Sequence, residues 1–312
     1  MLKLLITGAT GFLGSHLTRA LLARGHEMII LKRSFSDAWR IADILHDVKA
    51  YDIDQTDLAL VFEEQGPIQA VIHTATCYGR NNEEQSDILL ANTVFPLRLF
   101  ETASSFGTRT YFNTDTFFGS ASGYEYLNGY TLSKKHFVEW ARQFADMNRV
   151  RFVNIKVEHM YGAFDNDAKF TSHIINTCLE NTPELKLTDG EQQRDFIHVD
   201  DVVSAFSVLL ETVSSEGHID RDYDLGSGEA TPIREFVEMV HRLTGSQTKL
   251  RFGALPYRDH EIMHSVANVE VLKKLGWSPK YSLEQGLRQT ISWYTHKRMS
   301  RALRQKAKPS VC

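Results

Sequence analysis

The sequence predicts an α/β protein in which a doubly wound parallel sheet is followed by a smaller, mixed α/β lobe. Two observations predict the sheet: short strand-like runs alternate with amphipathic stretches in the first half of the chain, and several runs are continuously apolar. Strands separated by helices of this size form right-handed βαβ units, which place helices on both faces of the sheet. Turn-forming residues become more frequent after about Tyr161, and this change predicts the lobe.

The elements follow in a regular order along the chain. Strands are predicted at Leu2–Thr7, Glu27–Lys32, Val48–Tyr51, Gln69–His73, Thr108–Asn113 and Val150–Lys156. Helices are predicted at Phe12–Arg24 and Asp87–Phe106, and in the second half at Asp200–Glu211, Ile233–Leu243 and Leu283–Lys297. We therefore expect a first domain over residues 1–160 and a substrate-binding lobe over residues 161–312, with some segments interleaved.

Composition excludes several classes of protein. The chain has 312 residues, 42% of them hydrophobic, and a net charge of only −4, so nothing favours binding to nucleic acid or to a membrane surface. No apolar run approaches the roughly 18 residues of a spanning helix, and the N-terminus lacks a signal-peptide pattern, so a cytoplasmic protein is expected. The three cysteines form no C-x-x-C pair, and neither a disulfide framework nor a metal site is expected.

A glycine-rich turn follows the first strand and precedes an amphipathic helix. It reads Gly8-Ala-Thr-Gly11-Phe-Leu-Gly14. Glycines at these positions permit a tight turn and close approach to a pyrophosphate, which the helix N-terminus then faces. The context predicts a Rossmann-type dinucleotide site. The residues expected to contact the cofactor here are Gly8, Thr10, Gly11, Phe12, Leu13 and Gly14.

The end of the second strand bears on the choice of cofactor. An enzyme that uses NAD usually carries an acid here, whereas this chain has Lys32, Arg33 and Ser34. These side chains are suited to a 2′-phosphate, and they favour NADP(H) over NAD(H) unless the basic groups are merely solvated. Further cofactor contacts are expected from the ends of later strands and the elements beside them, namely Asp52, Ile53, Thr74, Ala75, Thr76, Asn92 and Val157.

Three motifs together resemble the extended short-chain dehydrogenase/reductases. They are the glycine turn, the spacing Tyr130-Thr-Leu-Ser-Lys134 and the segment Arg194-Asp-Phe-Ile-His-Val-Asp-Asp201. The resemblance runs from residue 2 to about residue 296. The family includes UDP-galactose 4-epimerases, nucleotide-sugar 4,6-dehydratases and nucleotide-sugar 4-ketoreductases, so it implies a nucleotide-sugar substrate.

The resemblance assigns the catalytic residues. Tyr130 supplies a proton to the alkoxide that hydride addition leaves, provided that its pKa, ordinarily about 10, is lowered. Lys134 lies one helical turn away on the same helix face, and its cation favours the phenolate form of Tyr130. Both Tyr130 and Lys134 are also expected to contact the cofactor. A hydroxyl at the end of the fifth strand polarises the carbonyl, and Thr114 is assigned to this role, with Thr116 as the alternative.

The segment Thr114-Asp115-Thr116 separates the subfamilies. The 4,6-dehydratases carry Thr-Asp-Glu here, and threonine cannot replace the glutamate as a base. The resemblance therefore implies an NADPH-dependent enzyme that reduces a 4-keto-deoxy or dideoxy sugar nucleotide. Asp115 is expected either to touch the sugar or to cap a turn, and a sugar contact is also expected from Thr116.

Substrate contacts are implied for the second half. His159 takes the place of the usual asparagine in Lys156-Val-Glu-His-Met-Tyr-Gly162, and is either a sugar or diphosphate ligand or a core histidine. Arg194 and Arg258 match arginines that bind the diphosphate, unless they form ion pairs with neighbouring acids. Lys169 and Phe170 are implied for the base pocket. The pattern is most similar to the reductases that make CDP-abequose and CDP-paratose in O-antigen synthesis, with dTDP-sugar reductases close by.

Two other functions stay open. One is a nucleotide-sugar 4-epimerase, which would keep NAD tightly bound. Lys32 and Arg33 disfavour this function, because an enzyme that uses NAD usually carries an acid at this position. The other is a non-catalytic NADP-binding scaffold, but such a protein would usually lose Tyr130 or Lys134.

Whichever function holds, the family resemblance implies a homodimer. It would be built as a four-helix bundle from the helices at Asp87–Phe106 and Tyr130–Met147.

Overall fold

A seven-stranded parallel sheet forms the centre of the computed structural model, which describes residues 1–120, 128–148, 150–215 and 221–306. The strands are β1 (Lys3–Thr7), β2 (Glu27–Lys32), β3 (Lys49–Asp52), β4 (Ala70–His73), β5 (Thr110–Thr116), β6 (Arg151–Val157), β7 (His159–Tyr161), β8 (Glu184–Lys186), β9 (Gln193–His198), β10 (Asp222–Leu225), β11 (Ala230–Pro232) and β12 (Lys249–Arg251). The large sheet has the order β10-β6-β5-β4-β1-β2-β3. The order reverses between β1 and β4, and ligands of such sheets bind in the crevice at that point.

Helices cover both faces of this sheet. They are α1 (Phe12–Ala23), α2 (Leu58–Gln65), α3 (Gln85–Leu89), α4 (Phe95–Ser105), α5 (Asn128–Asn148), α6 (Phe170–Leu179), α7 (Val199–Ser214), α8 (Ile233–Thr244), α9 (Glu270–Lys274) and α10 (Leu283–Lys306). Alternate residues of β1 enter different cores: Leu4 and Ile6 pack with α1 and α7, whereas Leu5 packs with α2, α4 and α5. The doubly wound sheet predicted from the apolar runs is thus confirmed.

A second group of elements packs around its own apolar core. Two small sheets, β11-β9-β7 and β12-β8, lie with α6, α8 and α10 around Tyr161, Phe196 and Phe236. The chain does not stay in this group, because β10 pairs with β6 in the large sheet and buries Tyr223 and Leu225 there. We propose the division at residues 160 and 161 with β10 as an interleaved segment.

The helix predicted over Asp87–Phe106 is not one regular α-helix. A π-helical segment at Leu90–Val94 lies between α3 and α4. Pro96 stands in the first turn of α4, and it has no N–H to donate to the carbonyl four residues earlier. That carbonyl belongs to Asn92, inside the π-helical segment, and such segments are frequent at functional sites.

The fifth strand is longer than predicted, because β5 pairs with β6 as far as Thr116 opposite Val157. Asp115 therefore lies within a strand and not in a turn, which favours the first of its two predicted roles, contact with the sugar. Across the described ranges, no helix is both long and apolar enough to cross a membrane. Within the same ranges, no cluster of three His, Cys, Asp or Glu side chains is arranged as a metal site.

Candidate active site

The glycine turn after β1 is shaped by close backbone contacts. Gly8 has a φ of 73°, and a Cβ there would lie 2.7 Å from the amide nitrogen of Ala75. A Cβ on Gly14 would lie 2.1 Å from the carbonyl oxygen of Gly8, so α1 packs against the turn only without a side chain. The Gly11 N–H donates to the same oxygen over 2.8 Å and closes the turn.

The N-terminus of α1 suits an anion. Gly11 caps the helix without a side-chain hydrogen bond, and the first turn contains no acidic residue. The first N–H groups and the positive end of the helix dipole therefore remain for a phosphate. Phe12 and Leu13 turn into the core behind them, while the Thr10 carbonyl accepts a hydrogen bond from Arg40 over 3.2 Å. This cradle fits the pyrophosphate of a dinucleotide.

The basic residues after β2 have different surroundings. Lys32 forms an ion pair with Asp52 at the end of β3, and the Ile53 N–H donates to the Lys32 carbonyl over 2.8 Å. The Ser34 hydroxyl and N–H both donate to Asp54. Arg33 is exposed, and its guanidinium lies 4.7 Å from the ring centre of Phe35.

The loop after β4 is fixed against β1 and α5. The Thr74 hydroxyl donates to the Thr7 carbonyl over 2.8 Å, and the Ala75 N–H donates to the Thr7 hydroxyl. Asn92 fixes the next two residues of this loop, because its Oδ1 accepts hydrogen bonds from the Cys77 N–H and from the Thr76 hydroxyl. Its amide nitrogen donates to the Cys77 carbonyl and to Ser133 on α5. Asn92 thus braces the loop where contacts with a cofactor were predicted.

Tyr130 and Lys134 lie together on α5 and are buried against the end of β5. The Lys134 ammonium donates to the Thr114 carbonyl over 2.6 Å, and the Tyr130 phenol hydrogen-bonds with the Thr116 side chain. The Thr114 hydroxyl is buried without a hydrogen-bond partner among the described residues. The structure therefore brings all four predicted groups to one place, with Thr116 in contact with the phenol.

The pKa of Tyr130 is not lowered here. Burial raises the pKa of the phenol well above 10, the nearby Tyr78 adds to this rise, and the hydrogen bond with Thr116 only opposes it. The Lys134 ammonium gives its hydrogen bond to a backbone carbonyl. Burial lowers the pKa of Lys134, and the Asp115 carboxylate works against that change. The phenol is therefore neutral at physiological pH.

Two residues beside Tyr130 escaped the sequence analysis. The Tyr78 ring lies 4.9 Å from the Tyr130 ring, and the Arg80 guanidinium lies 4.9 Å from the centre of Tyr78. Both residues belong to the loop after β4, two and four positions beyond Thr76, the last cofactor contact predicted there. The carboxyl ends of parallel strands share one edge, so extending the predicted contacts along this loop would have found them.

Asp115 is held by a buried amide network. Its Oδ2 accepts from Asn154 on β6 over 3.0 Å, and the same amide lies 3.3 Å from Asp222 on β10. The Asn154 carbonyl oxygen accepts in turn from Asn113 over 2.8 Å. The Asp115 carboxylate is thus oriented beside Lys134 and Tyr130 by groups on two strands.

His159 lies in an aromatic setting next to this network. Its ring is 4.5 Å from that of Phe117 and 5.7 Å from that of Phe196, and Val157 is buried just before it. Burial lowers the pKa of the imidazole to about 3, with a further contribution from Arg194, so the ring is neutral.

The other predicted substrate residues lie on β9, in the loop after β12 and at the start of α6. Arg194 is buried and forms an ion pair with Glu261 over 2.5 Å, and the Glu261 N–H donates to the carbonyl of the exposed Arg258. Lys169 lies 3.0 Å from Asp165 and over the ring of Phe12, which places it beside the glycine turn. Phe170, at the start of α6, is 38% exposed.

Comparison with known proteins agrees with these features. Residues 4–226 match the model of the NAD dependent epimerase/dehydratase family. CDP-abequose synthase of Salmonella muenchen is 35% identical over 93% of this chain and 97% of its own, and that of Salmonella typhimurium is 33% identical over 92% and 96%. The crystal structure of UDP-glucose 4-epimerase from Thermotoga maritima with UDP-glucose has a TM-score of 0.82 at 21% identity, covering 95% of this chain and 99% of that one.

The epimerase structure shows the shared fold, while the family match and the two synthases establish the relationship that the motifs predicted. The family match supports a nicotinamide cofactor, and the glycine turn with the α1 N-terminus has the geometry that fits the pyrophosphate of such a cofactor. The chain belongs to the NAD dependent epimerase/dehydratase family, a group of extended short-chain dehydrogenase/reductases, and is an enzyme of oxidoreductase type.

Proposed function

We propose that this protein reduces the C4 ketone of a nucleotide-linked 4-keto-deoxy or dideoxyhexose, with NADPH as the reductant. The observation that carries the proposal is the contact between Tyr130 and Thr116 at the end of β5. A hydroxyl occupies the position where a 4,6-dehydratase carries a glutamate, so elimination of water lacks its base. A neutral buried phenol beside a hydroxyl is suited to protonating the oxygen of a ketone.

The residues of the site have separate roles in such a reduction. When bound, the nicotinamide supplies the hydride. A threonine hydroxyl, that of Thr116 or the unpartnered one of Thr114, donates a hydrogen bond to the ketone oxygen, and Tyr130 then gives that oxygen its proton. Because burial keeps the phenol neutral, Tyr130 holds its proton until the substrate oxygen becomes negative. Lys134 stabilises the phenolate that remains, since its charge lies on the same helix face.

The relatives support the substrate class. Both synthases named above carry out a step whose product is a CDP-linked sugar, and they match this chain over almost its whole length. We assign a CDP- or dTDP-linked sugar to this site and place the reaction in the synthesis of deoxysugars for O-antigen. Arg194, Arg258 and His159 are assigned to the diphosphate and the sugar, and Lys169 and Phe170 to the base pocket.

Arg33 supports the choice of NADPH. It is the exposed cation at the end of β2, whereas Lys32 is already paired with Asp52. A planar guanidinium is suited to a 2′-phosphate. The alternative activity, 4-epimerisation, needs NAD that stays bound through the catalytic cycle.

Incubation with NADPH and a panel of CDP-, dTDP-, UDP- and GDP-linked 4-keto-6-deoxyhexoses tests the function. We expect loss of NADPH absorbance with a CDP- or dTDP-linked ketosugar and no cofactor released when the purified protein is denatured. Failure to oxidise NADPH with every member of the panel, together with stoichiometric release of NAD on denaturation, would instead establish the epimerase.

A homodimer is proposed from the exposed face of α3, the π-helical segment and α5. Large apolar side chains there are exposed to solvent, with Leu90 at 54%, Leu132 at 53% and Trp140 at 55%. Pairing two copies through these helices would bury them. Light scattering is expected to give twice the mass of one chain for the wild type and a single-chain mass for Trp140→Glu. A single-chain mass for the wild type contradicts the dimer.

A further inference from the structure

A cavity of about 330 Å³ at the carboxyl ends of β6 and β10 contains polar groups to which the proposed reaction assigns no role. It is lined by Phe117, Lys156, Glu158, Asp224, His264 and Ser265. Its volume lies at the lower end of the range for small-molecule sites. Phe117 directly follows Thr116, and Lys156 pairs in register with Asp115, so the cavity borders the end of β5 where Tyr130 acts.

Glu158 is the most buried polar group of the cavity. Its side chain is 5% exposed, and its Oε1 accepts a hydrogen bond from the Ser265 hydroxyl over 2.7 Å. Its Oε2 is buried and has no hydrogen-bond partner among the described residues. The nearest candidate, His159 Nδ1, is 3.7 Å away and equally unpartnered. A buried oxygen left without a partner costs free energy that a bound hydroxyl group would recover.

Ser265 is held in place by the neighbouring strand. Its N–H donates to the carbonyl of Gln193 at the start of β9 over 3.2 Å. Two residues later, the Ala267 N–H donates to the buried carboxylate of Asp195 over 3.1 Å. The hydroxyl that orients Glu158 therefore belongs to a rigid segment, and the carboxyl group is positioned before any ligand arrives.

The charges of the cavity disfavour a phosphate. Two carboxyl groups, those of Glu158 and Asp224, face one ammonium, that of Lys156, which lies 3.9 Å from Asp224. Burial raises the pKa of Glu158 to about 7, so its carboxyl group can donate as well as accept a hydrogen bond. Apolar surface comes from Phe117 and Val266. Hydroxyl groups and C–H faces together are the chemistry of a sugar ring.

We propose that Glu158, oriented by Ser265, binds a hydroxyl group of the substrate's hexose ring and is a specificity-determining residue of this site. The inference rests on the proposed function only in taking the ligand to be a nucleotide-linked hexose. The proposed function assigns the diphosphate to Arg194 and Arg258 and the base to Lys169 and Phe170, so the contact from Glu158 is expected to contribute to the affinity for the sugar.

Calorimetric titration of nucleotides with and without a hexose isolates this contribution. CDP and CDP-glucose, and UDP and UDP-glucose, are titrated into the wild type, Glu158→Leu, Glu158→Gln and Ser265→Ala. Wild-type protein is expected to bind one nucleotide hexose more tightly than the bare nucleotide. Glu158→Leu is expected to reduce that affinity ratio about tenfold, the effect of losing a buried hydrogen bond and leaving its partner unpaired. Glu158→Gln, which keeps a donor and an acceptor, retains most of it.

Controls separate this effect from damage to the fold. The affinity for the bare nucleotide stays unchanged in each variant, and Glu63→Leu, an exposed substitution on α2, leaves the ratio at its wild-type value. If Glu158→Leu does not fold, Ser265→Ala decides, with a reduced ratio expected. An unchanged ratio in the folded variants, or no sugar contribution in either wild-type pair, overturns the proposal. None of these titrations needs turnover, so a wild type that oxidises no NADPH refutes the reductase and leaves this result standing.

Discussion

Replacing Tyr130 with phenylalanine tests the centre of the proposed chemistry. The ring is 6% exposed and lies 4.9 Å from the Tyr78 ring, so phenylalanine fills the same space and keeps that contact. The substitution removes the phenolic proton and the hydrogen bond with Thr116. A general acid contributes about 10²- to 10⁴-fold to the rate, and we expect kcat for ketone reduction to fall by at least about a hundredfold.

The cost in stability is expected to be small by comparison. A lost intramolecular hydrogen bond is worth about 1 kcal/mol, far too little to unfold the sheet. Tyr111→Phe is a matched control, because Tyr111 lies on β5, is fully buried and donates a hydrogen bond to the Pro96 carbonyl over 3.2 Å. This control loses the same kind of group away from the reacting centre and is expected to keep its turnover.

The assay is steady-state loss of NADPH absorbance, combined with NADPH fluorescence titration of the variants. Both phenylalanine variants are expected to bind NADPH as the wild type does. Turnover by Tyr130→Phe at the wild-type rate, with binding intact, would remove Tyr130 from the role of proton donor. An equal loss in both variants would show that the effect comes from packing in the core.

Three further substitutions probe the cofactor and sugar sites. Arg33→Asp is expected to shift the preference from NADPH toward NADH, measured as the ratio of the two kcat/KM values, and an unchanged ratio contradicts the assigned 2′-phosphate contact. Gly14→Ala is expected to abolish NADPH binding, because its Cβ would lie 2.1 Å from the carbonyl oxygen of Gly8. Gly25→Ala, where φ is 81° and nothing lies within 4 Å, is its control and is expected to cost only about 1 kcal/mol. Glu158→Gln is expected to change the pH dependence of stability, because burial raises the pKa of Glu158 from 4.5 to about 7. As pH rises from 4.5 to 7, the free energy of unfolding of the wild type is expected to fall by up to about 3 kcal/mol relative to the variant. A difference in melting temperature that stays constant over this pH range would contradict the expectation.

Much of the fold could be predicted because its signals are local. A continuously apolar run such as that of β1 has to be buried on both sides, and Leu4 and Leu5 do enter opposite cores. The π-helical segment was missed because the apolar spacing around it is still helical, although Pro96 interrupts the hydrogen bonds. The position of β10 was missed because pairing with β6 depends on residues about 70 positions apart in the chain.

Prediction of the site succeeded where chemistry depends on short spacings. The glycine turn is a matter of local sterics, and residues 130 and 134 share a helix face by their separation alone. The ion pair between Lys32 and Asp52 depends on the register of β2 and β3, and the contact between Glu158 and Ser265 joins residues 107 positions apart. Such contacts are set by the folded chain as a whole, and no spacing in the sequence indicates them.

One physical cause explains why several cations of the predicted cofactor and substrate sites are already paired with acidic side chains. Lys32 and Arg194 were assigned to phosphates and Lys169 to the base pocket, and each already forms an ion pair with a carboxylate, namely Asp52, Glu261 and Asp165 in turn. A cation buried without a partner would cost several kcal/mol, so the acids stabilise these side chains while no phosphate is present. They also fix each cation in one position, and a phosphate then meets a group whose conformational entropy has already been lost. The exposed Arg33 has no need of such a partner, because water solvates it, and this difference is why its replacement is expected to alter cofactor choice without unfolding the strand.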